Sequence, residues 1–179
     1  KDLNKVEKVL SHLQETDEKS LNSWRRPIVL LKMKKELSPS VSMGLNTLGA
    51  MLPYMPFHHM LFDEVDLPAF VMTSANISDE PLVRDNHTAY DLFSSGVDAF
   101  LFHNRSIQNR IDDSVVRIID GKERFIRRSR GYAPEPVRLD APADGIFAAG
   151  AELKNCFCLG KGNQAIMSQH IGDLKNAGV

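Results

Sequence analysis

Residues 115–126 read Val-Val-Arg-Ile-Ile-Asp-Gly-Lys-Glu-Arg-Phe-Ile, two β-rich runs joined by Asp120-Gly121. An Asp-Gly connection between such runs specifies a hairpin, because both turn positions take positive φ and these residue types reach it cheaply. A strand pair cannot stand alone; it needs further strands or a helix to bury its apolar face. Three apolar runs supply candidates. Ile28-Val29-Leu30-Leu31, Ala69-Phe70-Val71-Met72 and Ala99-Phe100-Leu101-Phe102 are short and bounded by Pro or polar residues, the pattern of buried strands. Helical patterns lie between them. Asp2 heads a helix with Leu3, Val6, Leu10 and Leu13 on one face, residues 58–62 follow Pro53 and Pro56, and residues 89–93 run to a stop at Gly96. Residues 39–53 mix Gly44 and Gly49 with Ser and Asn and read as a loop. Strands interleaved with helices, one pair hairpin-linked, predict an α/β chain with a mixed sheet.

Pro134, Pro136 and Pro142 mark a linker-like stretch. Beyond it, residues 146–150 and 156–159 read as two strands, with a turn at 160–163 leading into 165–167. The 179 residues suffice for one well-buried domain and are too few for two ordinary ones. Some thirty residues with two or three short strands cannot close a core, so residues 145–174 are expected to lean on the body before them or on a partner chain, or else to be mobile, and the whole chain reads as a segment cut from something longer. Hydrophobic residues at 42% and charged residues at 25% suit a folded globule. No apolar run approaches the roughly 18 residues of a membrane span, so no membrane is expected as a partner. Cys156 and Cys158, one residue apart, cannot staple the fold and suggest a reducing, cytoplasmic setting. A net charge of −1 argues against nucleic acid as the main partner.

Candidate chemistry begins at Thr73-Ser74-Ala75-Asn76-Ile77-Ser78, which follows a strand-like run where open α/β sheets hold ligands. Small residues let backbone N–H groups approach an anion, the Ser74 hydroxyl can donate to a phosphate oxygen, and the Asn76 amide can donate and accept at once. The same composition also makes plain turns. Lys122, Arg124, Arg127, Arg128 and Arg130 set five cations against one acid, Glu123, within nine residues. On a strand Arg124 and Arg128 share one face and Arg127 takes the other. An arginine facing a ligand would grip a polyphosphate by paired N–H contacts, whereas a charge-protected sheet edge needs no ligand. Asp112-Asp113, beside Arg110, could hold Mg²⁺ or anchor an arginine, pairing being the commoner use. His58 and His59 diverge on a helix, the remaining histidines lack metal spacing, and the Cys pair has no second pair, so zinc has little support. No Walker A, nucleophile-elbow or Rossmann glycine pattern occurs.

Residues 73–81, 110–117 and 127–134, with 44–49 and 52–59, together resemble the YrdC-like domain of the HypF family of hydrogenase-maturation carbamoyltransferases. Residues 150–155 and 168–174 resemble the opening of that family's next, actin-like transferase domain. The resemblance implies a mixed, twisted sheet of YrdC-like type with helices over 1–138, a linker at 139–144, and a truncated second-domain hairpin over 145–179. It also implies a chemistry: carbamate freed from carbamoyl phosphate is activated with ATP and Mg²⁺ as carbamoyl adenylate, and the carbamoyl group passes to the C-terminal cysteine of HypE. Carried onto this sequence, the resemblance assigns Ser74, Ala75 and Asn76 to the nucleotide loop and Asp113 and Arg127 to the same nucleotide site. Pro56 and His58 fall to the acyl pocket, and Lys154 and Asn155 to a phosphate loop of the second domain. Asp113 stands where simple YrdC relatives often carry Ser. The loop and Arg127 are expected to border one concave site. A tRNA threonylcarbamoyl-adenylate synthase shares the loop and the adenylate chemistry, but residues 145–174 speak against it. An RNA-binding module built on the Lys122 to Arg130 cluster is a third reading, weakened by the net charge. Alone, the segment is expected to be inactive even where it binds ATP, since carbamate and triphosphate repel and must be held together by several cations.

Overall fold

The structure, a computed structural model, describes residues 2–172 apart from 11, 36, 79, 153 and 154. Contacts divide the chain into two compact units that interleave along the sequence, Lys1–Met72 with Asp113–Pro134 and Thr73–Asp112 with Glu135–Val179.

In the first unit Asp2 caps α1 (Leu3–Val9), its carboxylate accepting the Lys5 N–H at 3.0 Å. A reciprocal box between Gln14 and Asp17 opens α2 (Glu15–Asn22). Then come β1 (Ile28–Lys32), α3 (Pro39–Ser42), β2 (Thr47–Ala50), α4 (Pro56–Glu64), and the hairpin of β3 (Val115–Ile119) and β4 (Lys122–Arg127). Asp120 and Gly121 take φ of 51° and 69°, as the Asp-Gly turn requires. The sheet order is β2-β1-β3-β4, with β1 parallel to β3 and the other neighbours antiparallel. Residues 39–53 are therefore more ordered than a loop. Strand β2 is hidden in the sequence by Gly49, whose lack of a side chain serves the packing: a Cβ there would stand 2.7 Å from Ile28 Cγ2.

Leu10, Leu21, Val29, Leu31, Leu52, Val116 and Tyr132 form the core of this unit. Val29 and Val116 are Cα partners in the parallel ladder, and Leu3, Val6 and Leu13 pack against the same cluster. Full burial of one such aliphatic side chain contributes about 1.5–3 kcal/mol.

The second unit holds α5 (Asn86–Phe93), capped by Asp85, whose carboxylate accepts the Thr88 N–H at 2.9 Å and its hydroxyl at 3.1 Å. Gly96 ends the helix region with its N–H on the Phe93 carbonyl. Strands β5 (Val137–Arg138), β6 (Phe147–Ala149), β7 (Phe157–Lys161) and β8 (Gln164–Met167) form an antiparallel sheet in the order β5-β8-β7-β6. Its turn is held by the Gly162 N–H on Asp144 Oδ1 at 2.7 Å. Strand β5, which falls within the proline-punctuated stretch, adds itself to β8.

Residues 69–72 and 99–102 are not strands. Val71 is 79% exposed and Leu101 76%, and neither run pairs with a described strand. An apolar run provides side chains for a buried strand, but only a neighbouring backbone satisfies its N–H and C=O groups. The aromatic members cluster locally instead: Phe62 and Phe70 have ring centroids 4.5 Å apart, and Phe100 lies 5.4 Å from Tyr90 and 5.2 Å from Phe102.

Candidate functional site

In the second unit the Ser74 to Asn76 loop is folded by its own polar groups. Ser74 donates its hydroxyl to Asn76 Oδ1 at 2.5 Å, and Asn76 Nδ2 donates to the carbonyls of Ile77 at 2.9 Å and Glu80 at 3.1 Å. The Val83 N–H closes the loop on the Ala75 carbonyl at 2.9 Å. These bonds within the loop hold its shape, and a loop so braced loses less conformational freedom on binding. Ser74 is exposed, and rotation of its hydroxyl redirects the proton from Asn76 to an incoming oxygen. Two further bonds tie the loop's C-terminal arm to residues 108–110: Arg110 Nε donates to the Leu82 carbonyl at 2.7 Å and Arg84 Nη1 to the Gln108 carbonyl at 3.3 Å. The segment ends at Asp112, whose Oδ2 lies 2.8 Å from His170 Nδ1.

In the first unit the cations are organised around Arg130. Its Nε meets Asp113 Oδ1 at 2.5 Å, its terminal nitrogens donate to the carbonyls of Arg25 at 3.0 Å and Arg26 at 2.8 Å, and its guanidinium carbon lies 3.7 Å over the Tyr54 ring. Asp113 therefore anchors an arginine here. The Arg25 guanidinium carbon lies 4.7 Å from the Trp24 ring centroid and 5.0 Å from that of Tyr132. Arg127 closes β4 and is partly buried. The expected alternation of Arg124 and Arg128 fails, because the ladder slips between Val115 and Val116 and the strand ends at Arg127. Arg128, beyond the strand, donates to the Tyr132 carbonyl at 2.7 Å.

Pro56 stands at the first position of α4, where its missing N–H is not needed. His58 is buried, accepts the Tyr54 N–H at Nδ1 at 3.5 Å, and packs edge-on to Tyr54 and Phe57. Burial, and then the charges of His59 and Arg130, push its pKa below the usual histidine value, with Asp113 opposing them. A cleft of about 340 Å³ is walled by Trp24, Arg26, Tyr54, Met55, Pro56 and His59 among others. Pro56 and His59 thus line the cleft, while His58 is a packed core histidine.

Asn155 is buried, its N–H on the Gly172 carbonyl at 3.3 Å and its carbonyl accepting the Ile171 N–H at 2.9 Å; Lys154 lies outside the described residues. Among the described residues no three His, Cys, Asp or Glu side chains cluster as a metal site, and no helix is long and apolar enough to cross a membrane. With Asp112 on His170 and Asp113 on Arg130, these two carboxylates form no ready-made Mg²⁺ cage. Ser74, Ala75 and Asn76 belong to the second unit and Asp113, Arg127, Pro56 and His58 to the first. Sequence reading missed the Asp112–His170 and Arg130–Tyr54 contacts. Residues 168–170 belong to a recognisable motif, but nothing local in the sequence tells which acid His170 meets.

Residues 1–129 match the family model for Sua5/YciO/YrdC proteins, described as telomere recombination, and residues 141–179 match the model for the HypF Kae1-like domain. A carbamoyltransferase HypF of Rhizobium leguminosarum bv. viciae is 45% identical over 175 residues, which cover 94% of this chain and 23% of that protein. Among solved structures, full-length HypF in a phosphate- and nucleotide-bound form is 45% identical with a TM-score of 0.86, covering 98% of this chain and 28% of the other. HypF of T. kodakarensis is 42% identical with a TM-score of 0.89, covering 99% and 23%. The chain thus spans about a quarter of the length of the relatives it matches. With a YrdC-type match through residue 129 and a HypF Kae1-like match from residue 141, in a fold shared with solved HypF structures, this chain belongs to the HypF carbamoyltransferase family.

Proposed function

We propose that this chain forms the carbamate-activating part, and the entry to the transfer part, of a carbamoyltransferase acting in [NiFe]-hydrogenase maturation. In the whole protein, a carbamate oxygen released from carbamoyl phosphate attacks the α-phosphorus of ATP. A new O–P bond forms, the bond to the β-phosphate bridge breaks, and pyrophosphate leaves. A thiolate, that of the C-terminal cysteine of HypE, then attacks the carbamoyl carbon, and AMP leaves as the S–C bond forms. Attack on an α-phosphate calls on positioning and charge neutralisation more than on a protein nucleophile. The Ser74 to Asn76 loop is assigned the nucleotide; Mg²⁺ bound with ATP would supply further neutralisation of its phosphate charge.

The observation that carries this reading is the loop itself, folded around Asn76 with the Ser74 hydroxyl exposed. The match of residues 141–179 to the HypF Kae1-like domain favours it over a tRNA-modifying relative. These 179 residues alone are expected not to form carbamoyl adenylate, even where they bind ATP. The test is carbamoyl-phosphate-dependent pyrophosphate exchange into ATP by the full-length protein, with ATP titrated calorimetrically into the 179-residue chain. Replacement S74A should lower exchange by about 10-fold or more, as loss of a phosphate contact does. Unchanged exchange in that variant overturns the assignment of the loop.

A further inference from the structure

We propose that His170, supplied by the stretch matching the Kae1-like domain, is a positioning residue for the Ser74 to Asn76 loop of the YrdC-like stretch. The inference rests on the nucleotide reading of that loop. All the residues involved lie in the second unit. His170 is mounted firmly on its own side: the next residue, Ile171, donates its N–H to the Asn155 carbonyl at 2.9 Å, and Gly172 accepts the Asn155 N–H at 3.3 Å. From that mount the imidazole reaches Asp112, with side-chain exposures of only 13% for His170 and 23% for Asp112. An ionised carboxylate only accepts, so Nδ1 carries the proton and the ring orientation is set. In a site so shielded from water such a bond directs its partners more strongly than a solvated surface pair does.

Asp112 in turn ends the segment that braces the loop. Two residues before it, Arg110 donates to the Leu82 carbonyl; beside Leu82, the Val83 N–H bonds the Ala75 carbonyl between Ser74 and Asn76. An unbroken path of short bonds and adjacent residues therefore runs from His170 to the nucleotide loop. Its consequence is coupling between the two activities: the loop that holds ATP keeps its shape while the opening of the transfer stretch is seated. Adenylate formation is thereby tied to the presence of the part that consumes the adenylate.

The proposal predicts a split between binding and turnover. In the full-length protein, H170L should raise the KM for ATP in pyrophosphate exchange about 10-fold, the effect of losing one charge-assisted hydrogen bond, with kcat changed less than about 2-fold. The variant H170N, whose amide N–H can replace Nδ1–H, should recover most of that loss. A second measurement needs no turnover: in the 179-residue chain, H170L should speed hydrogen exchange of the Val83 amide about 10-fold and leave the β1 amide of Leu30 unchanged. Equal acceleration at Leu30 and Val83 would mean general loosening and overturn the proposal, as would an unchanged Val83 rate. A wild-type protein without ATP-dependent exchange would sink the nucleotide reading, and the Val83 rate would then decide the brace by itself.

Discussion

The two units carry similar apolar runs but do not bury them alike, and within the first unit residues 69–72 already leave Val71 79% exposed. In the first, Ile28–Lys32 pairs on both sides and buries Val29 and Leu31 completely or nearly so; in the second, residues 99–102 of comparable hydrophobicity leave Leu101 76% exposed. Every buried hydrophobic side chain among the described residues lies in the first unit. The second is held by ladders, caps and polar bonds: four antiparallel strands, the Asp85 cap, the Asn76 turn and the Asp112–His170 pair. Hydrophobicity alone therefore does not decide burial. A run becomes core when a second backbone lies alongside it and a third element covers it.

The comparison is most exposed to a matched pair of truncations. L21A, at a site with no solvent exposure, should cost about 2–5 kcal/mol in urea unfolding, whereas L101A should stay within about 0.5 kcal/mol. Equal losses would erase the contrast. The next effect concerns the polar side of the first unit. R130M removes the Asp113 pair and two carbonyl contacts in one step and should cost about 1.5–3 kcal/mol, with R130K recovering only part, because an ammonium cannot reproduce the fork.

A smaller effect follows pH. His58 has a lowered pKa in the folded chain, so between that value and its ordinary 6.5 the unfolded chain binds more protons. Stability from this group is complete above the unfolded value and is lost as pH falls through the window below it. Thermal unfolding of the first unit should therefore move to lower temperature as pH drops from about 7 to 5, and H58Q should flatten that slope. An identical slope in the variant would assign the acid sensitivity elsewhere. Smallest of all, S74A should leave stability within about 0.5 kcal/mol, since its side chain is exposed and bonded only within its own turn. A larger loss would make the loop a structural support of the second unit.

The features legible in the sequence are local ones. Asp120-Gly121 makes its turn because the two residues reach positive φ with little strain, and Asp2 and Asp85 cap helices because each finds an amide three residues ahead. The Ser74-Ala75-Asn76 turn is legible for the same reason: its bonding partners lie within a few residues. Tertiary structure decided the rest. Asp113 takes Arg130, β4 ends before the alternation of its arginines is complete, and His58 turns into the core while its neighbour His59 lines the cleft. Asp112 meets His170 across 58 residues of chain. Each of these choices depends on which backbone comes alongside which, and no short window of sequence contains both partners.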